Sequence, residues 1–347
     1  MNLPSSDRVL GMLEMESEVQ LVTDAMRSVF REFTEDAVAA VAQVPRRIDG
    51  RWDRREAEAV LRCIDATLVR HGFLYPGTGA VDLLAEALAP FQMTTHERPS
   101  YEAQAHNRRR RAMIAERFPG PFYPIDCDLA GLLYLAVAER SGLPLSLVLI
   151  PSRRGNPGHA FVRWRNGARY LNWETNEGRV LTDADYLQEY GIQRAEVRAK
   201  SALADLGSEQ LLACAHHRLA IVHERRGDVE SALRHLARAR QLFPQNLDVR
   251  RQLAWLAATT ATHPACPPSA AVENAAYVVR LLDEPDARDT LAAALAAAGR
   301  FTEAIQQEKA AIRYSSNSGG ERIGYRARLH LYEQGRRYYL PGAGPTP

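Results

Sequence analysis

The chain has 347 residues, 46% hydrophobic and 25% charged, and its 44 basic against 42 acidic side chains leave a formal net charge of +2. This is the composition of a globular protein of two or three domains with a sizeable core, and the near balance argues against attraction to nucleic acid or a membrane surface. Its four cysteines, Cys63, Cys127, Cys214 and Cys266, stand far apart without CxxC spacing, so neither a structural zinc site nor a disulfide framework is expected and the thiols read as free.

The N-terminus, "MNLPSSDRVLGMLEMESEVQ", has acidic residues where a signal peptide would be apolar, and nowhere do about 18 apolar residues run together, so a cytoplasmic protein without a membrane span is expected. Residues 1–100 read as a helical lead-in. The apolar spacing of "VQLVTDAMRSVF" and "AEAVLRCIDATLVRHGF" supports helices there, and Gly77 and Gly79 mark a break before "AVDLLAEALAP". His106 reads as exposed, and Arg108 to Arg111, four arginines without interleaved aromatics, read as a solvated helix face rather than a phosphate footprint.

Residues 101–200 form the segment that carries chemistry. In "PIDCDLAGLLYLAVAERSGLP", Asp126 is a suitable N-cap and Ser141-Gly142 a stop, which places Cys127 in the first turn of an apolar helix. The positive end of the helix dipole favours thiolate there, and the charges of Asp126 and Asp128 oppose it. Beyond the helix, "LPLSLVLI" is a buried-strand pattern, and "HAFVRW" and "RYLNWE" are strand-like runs joined by "RNGA", where Asn-Gly signals a hairpin. A long helix packed on a small antiparallel sheet is an α+β unit.

With Asn166 and Gly167 as the turn, His159 lies opposite Glu174 and Phe161 opposite Asn172, all on one face; a longer loop puts His159 opposite Asn172 instead. Either register gives the histidine an amide or carboxylate to orient it, the base-plus-orienter part of a cysteine triad. Arg163 and Trp164 read equally as cleft lining or as a surface ion-pair partner and a packing residue, and Tyr123 is a further candidate near the helix start.

Residues 205–340 read as helical repeats. Leu219, Ala220, Gly227, Ala232, Leu236, Ala239 and Pro244 fall at the offsets of a 34-residue tetratricopeptide repeat, where small residues let two helices approach and glycine makes the turn. Ala292, Gly299, Ala304 and Ala311 keep the same spacing in a second copy, with a degenerate copy around "VRRQLAWLAATTA" and a Pro-rich break, "THPACPPSAAVE", between them. Such arrays usually hold a protein or peptide partner. His216 and His217 are consecutive on a helix, point about 100° apart and read as surface and packing residues rather than metal ligands.

A cysteine opening a helix, the "GLP" turn and apolar strand, "GHAFVRW" downstream and a polar residue in the next strand resemble the transglutaminase-like superfamily, a circularly arranged relative of papain. With the repeats, the run from 55 to 335 is most similar to the bacterial SirB-type proteins. The resemblance implies a transglutaminase-like core with Cys127 as nucleophile, His159 as general base and Asn172 as the residue orienting the imidazole, with Glu174 as the alternative orienter. The superfamily usually has aspartate where Asn172 stands, and "PID" replaces the glycine-containing approach to the cysteine. The implied activity is cysteine-dependent acyl transfer, as amide hydrolysis or transglutamination, on a protein or peptide recruited by the repeats, with no cofactor or metal. The alternative is a catalytically inactive scaffold that binds a protein partner through the repeats.

Overall fold

The computed structural model describes residues 7–45, 53–75, 81–105, 108–261, 263–315, 319–341 and 343. Gly77, Gly79 and His106 lie outside them. Two compact units emerge, the first comprising 1–149, 159–191 and 203–211, the second 150–158, 192–202 and 212–347. The boundaries expected near 100 and 200 fall differently: the lead-in helices and the cysteine-bearing core share one unit, and two segments of the core, 150–158 and 192–202, belong with the repeats.

The first unit opens with α1 (Arg8–Met15), α2 (Asp24–Ala42) and α3 (Arg54–His71), followed by β1 (Phe73–Leu74), α4 (Leu84–Ala87), α5 (Arg98–Gln104), α6 (Arg108–Arg117), β2 (Tyr123–Pro124) and α7 (Cys127–Ser141). The Asp53 carboxylate caps α3 through the amides of Arg55 and Glu56, and Gly72 ends it at φ +84, a left-handed position that glycine takes without strain. β1 and β2 pair in parallel, Phe73 with Tyr123 and Leu74 with Pro124. This short pair, absent from the sequence pattern, leads the chain directly to Cys127.

α7 runs between the expected limits, capped by Asp126 and closed by Gly142 in the left-handed region. Every residue from Leu129 to Ala138 is buried, so this helix is apolar on all sides because it is a core element. Gly131 permits its close approach to the sheet: a Cβ there would lie 2.4 Å from Leu147 Cδ1.

The sheet runs β3 (Leu145–Ile150), β4 (His159–Asn166), β5 (Arg169–Glu174), β6 (Arg179–Leu181), in that order, and α8 (Asp183–Glu189) follows. β4 and β5 are antiparallel, with Asn166 opposite Arg169 and Arg163 opposite Asn172. The turn is therefore Gly167-Ala168, not Asn166-Gly167. Gly167 has φ +59, and Ala168 is not among the positive-φ residues, which fits glycine at the first central position of a type II′ turn better than the Asn-Gly pair of a type I′ turn. The displaced turn sets Arg163, not Phe161, opposite Asn172.

Arg108, Arg109 and Arg111 are exposed on α6 as expected of a solvated face. Arg110 is not. It is 3% exposed, donates to Asp65 Oδ1 at 2.8 Å and to the Thr175 carbonyl at 3.1 Å, and lies 4.8 Å over the Tyr75 ring. Burial of an arginine requires such a partner, and the partner comes from α3.

The second unit contains α9 (Arg194–Arg198), most of α10 (Ser208–Arg225), α11 (Val229–Leu242), α12 (Leu247–Thr259), α13 (Pro268–Leu281), α14 (Pro285–Ala297), α15 (Phe301–Tyr314) and α16 (Gly319–Glu333). Ala232, Ala292, Ala304 and Ala311 are fully buried, and Gly227 and Gly299 turn between helices at φ +77 and +76, as the repeat pattern requires. The degenerate copy is α12, and Pro267 and Pro268 open α13, where a missing N–H costs nothing. Segment 150–158 is held within this unit by carboxylates: Asp248 accepts the Ser152 amide at 3.1 Å and its hydroxyl, Glu284 accepts the Arg154 amide at 2.8 Å, and Glu196 pairs with Arg153 at 2.8 Å. Among the described residues, no helix is long and apolar enough to cross a membrane.

Candidate active site

Cys127 occupies the first helical position of α7, half-buried. Asp126 Oδ1 accepts the Leu129 amide at 3.0 Å, which fixes the helix start and with it the sulfur. The backbone N–H of Ala160, next to His159 on β4, faces that sulfur. Burial pushes the thiol well above its usual range, Asp128, Asp126 and, more weakly, Glu174 push the same way, and the Ala160 amide offsets this only in part. The contest between helix dipole and aspartates thus goes against thiolate, with burial as the larger cause.

His159 opens β4. Its Nε2 lies 2.7 Å from Glu174 Oε2, and both side chains are nearly sequestered, 8% and 5% exposed. Glu174 also accepts the Tyr186 hydroxyl at 3.0 Å and, at Oε1, the Asn176 amide at 3.0 Å. Burial alone would raise the Glu174 carboxyl; the His159 bond and charge, with the Asn176 and Tyr186 donors, reverse this and hold it below the usual carboxylate range. The imidazole stacks on Tyr190 at 5.5 Å and 13°. Tyr186 in turn stacks on Phe161 at 4.1 Å and 5°.

Asn172, the expected orienter, is on the same face of β5 but turned to other work. Its Oδ1 accepts Arg163 Nε at 2.7 Å and its Nδ2 donates to Asp183 Oδ1 at 2.7 Å. Arg163, 2% exposed, also donates to Asp183, Asp205 and the Leu203 carbonyl at 2.7–2.9 Å. This is a buried structural network, and Arg163 is neither cleft lining nor a surface ion-pair partner. With the turn at Gly167-Ala168, Arg163 faces Asn172, and Glu174, two positions on, reaches His159.

Tyr186 and Tyr190 escaped the sequence reading. A signal was present, since Thr182 and Asp185 form a capping box and tyrosines four apart on the short helix that follows share one face. Tyr75 belongs to the same buried cluster: its hydroxyl is held far above its ordinary range by burial, with Arg110, Thr175, Glu174 and Cys127 all close enough to influence it. Trp164 is buried packing, and Tyr123 packs against Phe73 with ring centroids 5.3 Å apart and planes tilted by 39°.

Residues 215–256 match the tetratricopeptide repeat family model. The match covers the second half of α10, all of α11 and most of α12, and repeats of this kind mediate protein–protein interaction. No curated protein and no solved structure matched the chain. Within the repeat unit, a cleft of about 390 Å³ is lined by Ser152, Arg153, Arg154, Asn156, Arg251 and Asp286. A roomier groove of about 720 Å³ in the first unit, between α3 and α6, is lined by Cys63, Arg70, Arg109 and Arg117 among others, and includes none of Cys127, His159 and Glu174.

Proposed function

We propose that the first unit is a transglutaminase-like, papain-related core performing cysteine-dependent acyl transfer, with Cys127 as nucleophile, His159 as general base and Glu174, in place of Asn172, as the residue that orients the imidazole. The observation that carries this reading is the His159–Glu174 bond, 2.7 Å long and sequestered, on the strand whose Ala160 amide faces the Cys127 sulfur.

Glu174 takes up Nε2, so Nδ1 is the nitrogen that serves as base. His159 accepts the thiol proton through Nδ1 as sulfur attacks an amide or ester carbonyl. The Glu174 carboxylate stabilises the imidazolium that forms, and Tyr186 and Asn176 hold that carboxylate in place. Collapse of the tetrahedral adduct breaks the carbon–nitrogen or carbon–oxygen bond, His159 returns the proton to the leaving group, and a thioester remains on Cys127. Water releases it by hydrolysis, or a lysine-like amine by transglutamination; hydrolysis is the simpler outcome. A protein or peptide substrate recruited by the repeats in the cytoplasm completes the reading.

One observation favours the alternative of a non-catalytic scaffold. The resting Cys127 thiol is strongly biased to the neutral form, as in a buried core cysteine. An activated acyl ester separates the two. Intact-mass analysis is expected to show one acyl adduct on Cys127, formed by the wild type and lost in His159→Ala; no adduct, or one equally spread over Cys63, Cys214 and Cys266, defeats the enzymatic reading.

A further inference from the structure

Three arginines gather where α11, α12 and α13 meet. Arg240 lies in the last turn of α11 and Arg280 in the last turn of α13, while Arg250 closes the first turn of α12. Tyr277 joins them: the guanidinium carbon of Arg250 is 4.0 Å, and that of Arg280 4.9 Å, from the centroid of its ring. Arg240 and Arg250 share one neutral acceptor, Asn274 Oδ1, at 3.2 and 2.8 Å.

The helix dipole accounts for only two of the three. It favours a cation in the last turn of a helix, where Arg240 and Arg280 stand, and disfavours one in the first, where Arg250 stands. Arg250 is also just 6% exposed, and a buried cation normally takes a carboxylate within hydrogen-bond range. It has none: among the described residues the one carboxylate within reach, Glu273, is 3.9 Å away and gives its 2.9 Å bond to Arg240 instead. The donors of Arg250 go to the neutral oxygens of Pro244 and Asn274. Burial first, and then the charges of Arg240 and Arg280, push Arg250 below the usual arginine range, which Tyr277 and Glu273 offset only in part. Three positive charges thus face a single carboxylate, and that one is 65% exposed and held weakly.

We propose that this surface docks an acidic peptide segment of a protein partner, whose carboxylates pair with Arg240 and Arg280 and take the place that Glu273 holds in the unbound chain. The inference rests on the reading that the repeats bind a partner, and adds which face they use and which chemistry it accepts. Charge complementarity selects the occupant: the planar guanidinium fork matches a carboxylate with two parallel hydrogen bonds, and a basic segment would be repelled. Arg280 is exposed, and among the described residues no ion pair engages it. Arg250 does not reach the partner. Fixed by Asn274 and Pro244, it contributes positive potential beneath the surface. Glu273 is the competitor in the same chain, close enough to occupy Arg240 and exposed enough to be displaced.

Fluorescence anisotropy of fluorescein-labelled hexaglutamate titrated with the full chain tests the surface. Saturable binding that weakens as salt rises is expected, about threefold or more weaker in Arg240→Gln and in Arg280→Gln, and about threefold tighter in Glu273→Gln, which removes the competing charge. Arg300→Gln, at an exposed arginine paired with Glu303 before α15, is expected to leave binding unchanged. A misfolded variant does not gain affinity, so the Glu273→Gln result stands apart from any loss of structure. Absence of saturable binding at low salt overturns the proposal. Equal affinity in the wild type and the Arg240, Arg280 and Glu273 variants overturns this surface while leaving partner binding elsewhere on the repeats untouched. Tighter binding of a labelled oligothymidylate through the same arginines overturns the choice of a carboxylate partner in favour of a phosphate backbone. The Cys127 acyl adduct, measured on the same Arg280→Gln protein, reports separately on the enzymatic reading.

Discussion

Replacing Glu174 by glutamine keeps shape and one acceptor oxygen while removing the charge that faces His159. In the folded chain Glu174 receives three donors, from His159 at 2.7 Å and from Tyr186 and Asn176 at 3.0 Å each, inside a nearly water-free pocket. A hydrogen bond to a charged group is worth about 1.5–3 kcal/mol, and each 1.36 kcal/mol is tenfold in rate. If the pair steadies the imidazolium that forms as Cys127 reacts, Glu174→Gln is expected to slow that reaction by about 10–150-fold. The assay is iodoacetamide labelling near neutral pH followed by peptide mapping, with Cys63, Cys214 and Cys266 as internal standards in the same tube. Asn172→Asp is the companion variant, expected to leave the Cys127 rate within about threefold, since Asn172 serves Arg163 and Asp183. Equal labelling of Cys127 in wild type and Glu174→Gln, or a larger loss in Asn172→Asp, refutes the assignment of the orienter.

Three further outcomes follow from the same geometry. Asp128 is the strongest charge opposing the Cys127 thiolate, so Asp128→Asn is expected to speed iodoacetamide labelling of Cys127 several-fold at pH 8 and leave Cys214 unchanged. Tyr134 and Trp173 are fully buried and share a 2.9 Å bond, the indole N–H donating to the hydroxyl; Tyr134→Phe strands that N–H and is expected to cost about 1–3 kcal/mol in a urea titration, a loss below about 0.5 kcal/mol being incompatible with the bond. In the repeat unit, Glu308 is fully buried beside Asp289 and its carboxyl is pushed up to about 10, by burial first and then by Asp289. A carboxyl raised on folding stabilises below its unfolded value near 4.5 and loses that contribution as pH rises towards 10. Glu308→Gln, a permanent neutral mimic, is therefore expected to gain stability over the wild type with rising pH, up to about 3 kcal/mol at pH 7, and denaturation curves at pH 5 and 8 with the same difference would contradict it.

The parts legible in the sequence were those set by local chemistry. Asp126 and Gly142 bound α7 because capping carboxylates and left-handed glycines act within one turn, and the repeat alanines and glycines mark helix contacts at a fixed period. What the sequence left open depended on a choice between near-equal local options or on distant partners. A hairpin turn at Asn166-Gly167 and one at Gly167-Ala168 both use Gly167, yet they exchange the residue opposite Asn172, Phe161 for Arg163. Arg110 is buried through Asp65, 45 positions earlier, which no window of helical periodicity contains. Arg240, Arg250 and Arg280 gather only when α11, α12 and α13 pack together, whereas the adjacent pair His216–His217, conspicuous in the sequence, points in two directions, His216 to His235 and His217 to Gln252.

The upward push on the Cys127 thiol narrows the proposed mechanism rather than ending it. A cysteine that reacts through a standing thiolate needs a depressed pKa, and burial, Asp128 and Asp126 push the other way here. A cysteine that reacts by general-base catalysis needs only a positioned base whose protonated form is stabilised at the moment of attack. On the proposed reading Glu174 would supply that stabilisation, and Tyr186 and Asn176 already hold its carboxylate in place, so its reorganisation cost would be small. The two routes differ in a measurable way. With His159 as base, His159→Ala slows reaction of Cys127 while the other cysteines keep their rates; with a solvent-formed thiolate, the same substitution leaves Cys127 as slow as it already was. On the first route Asp128 and Asp126, which push the thiol upward, would confine its reactivity to the step in which His159 accepts the proton.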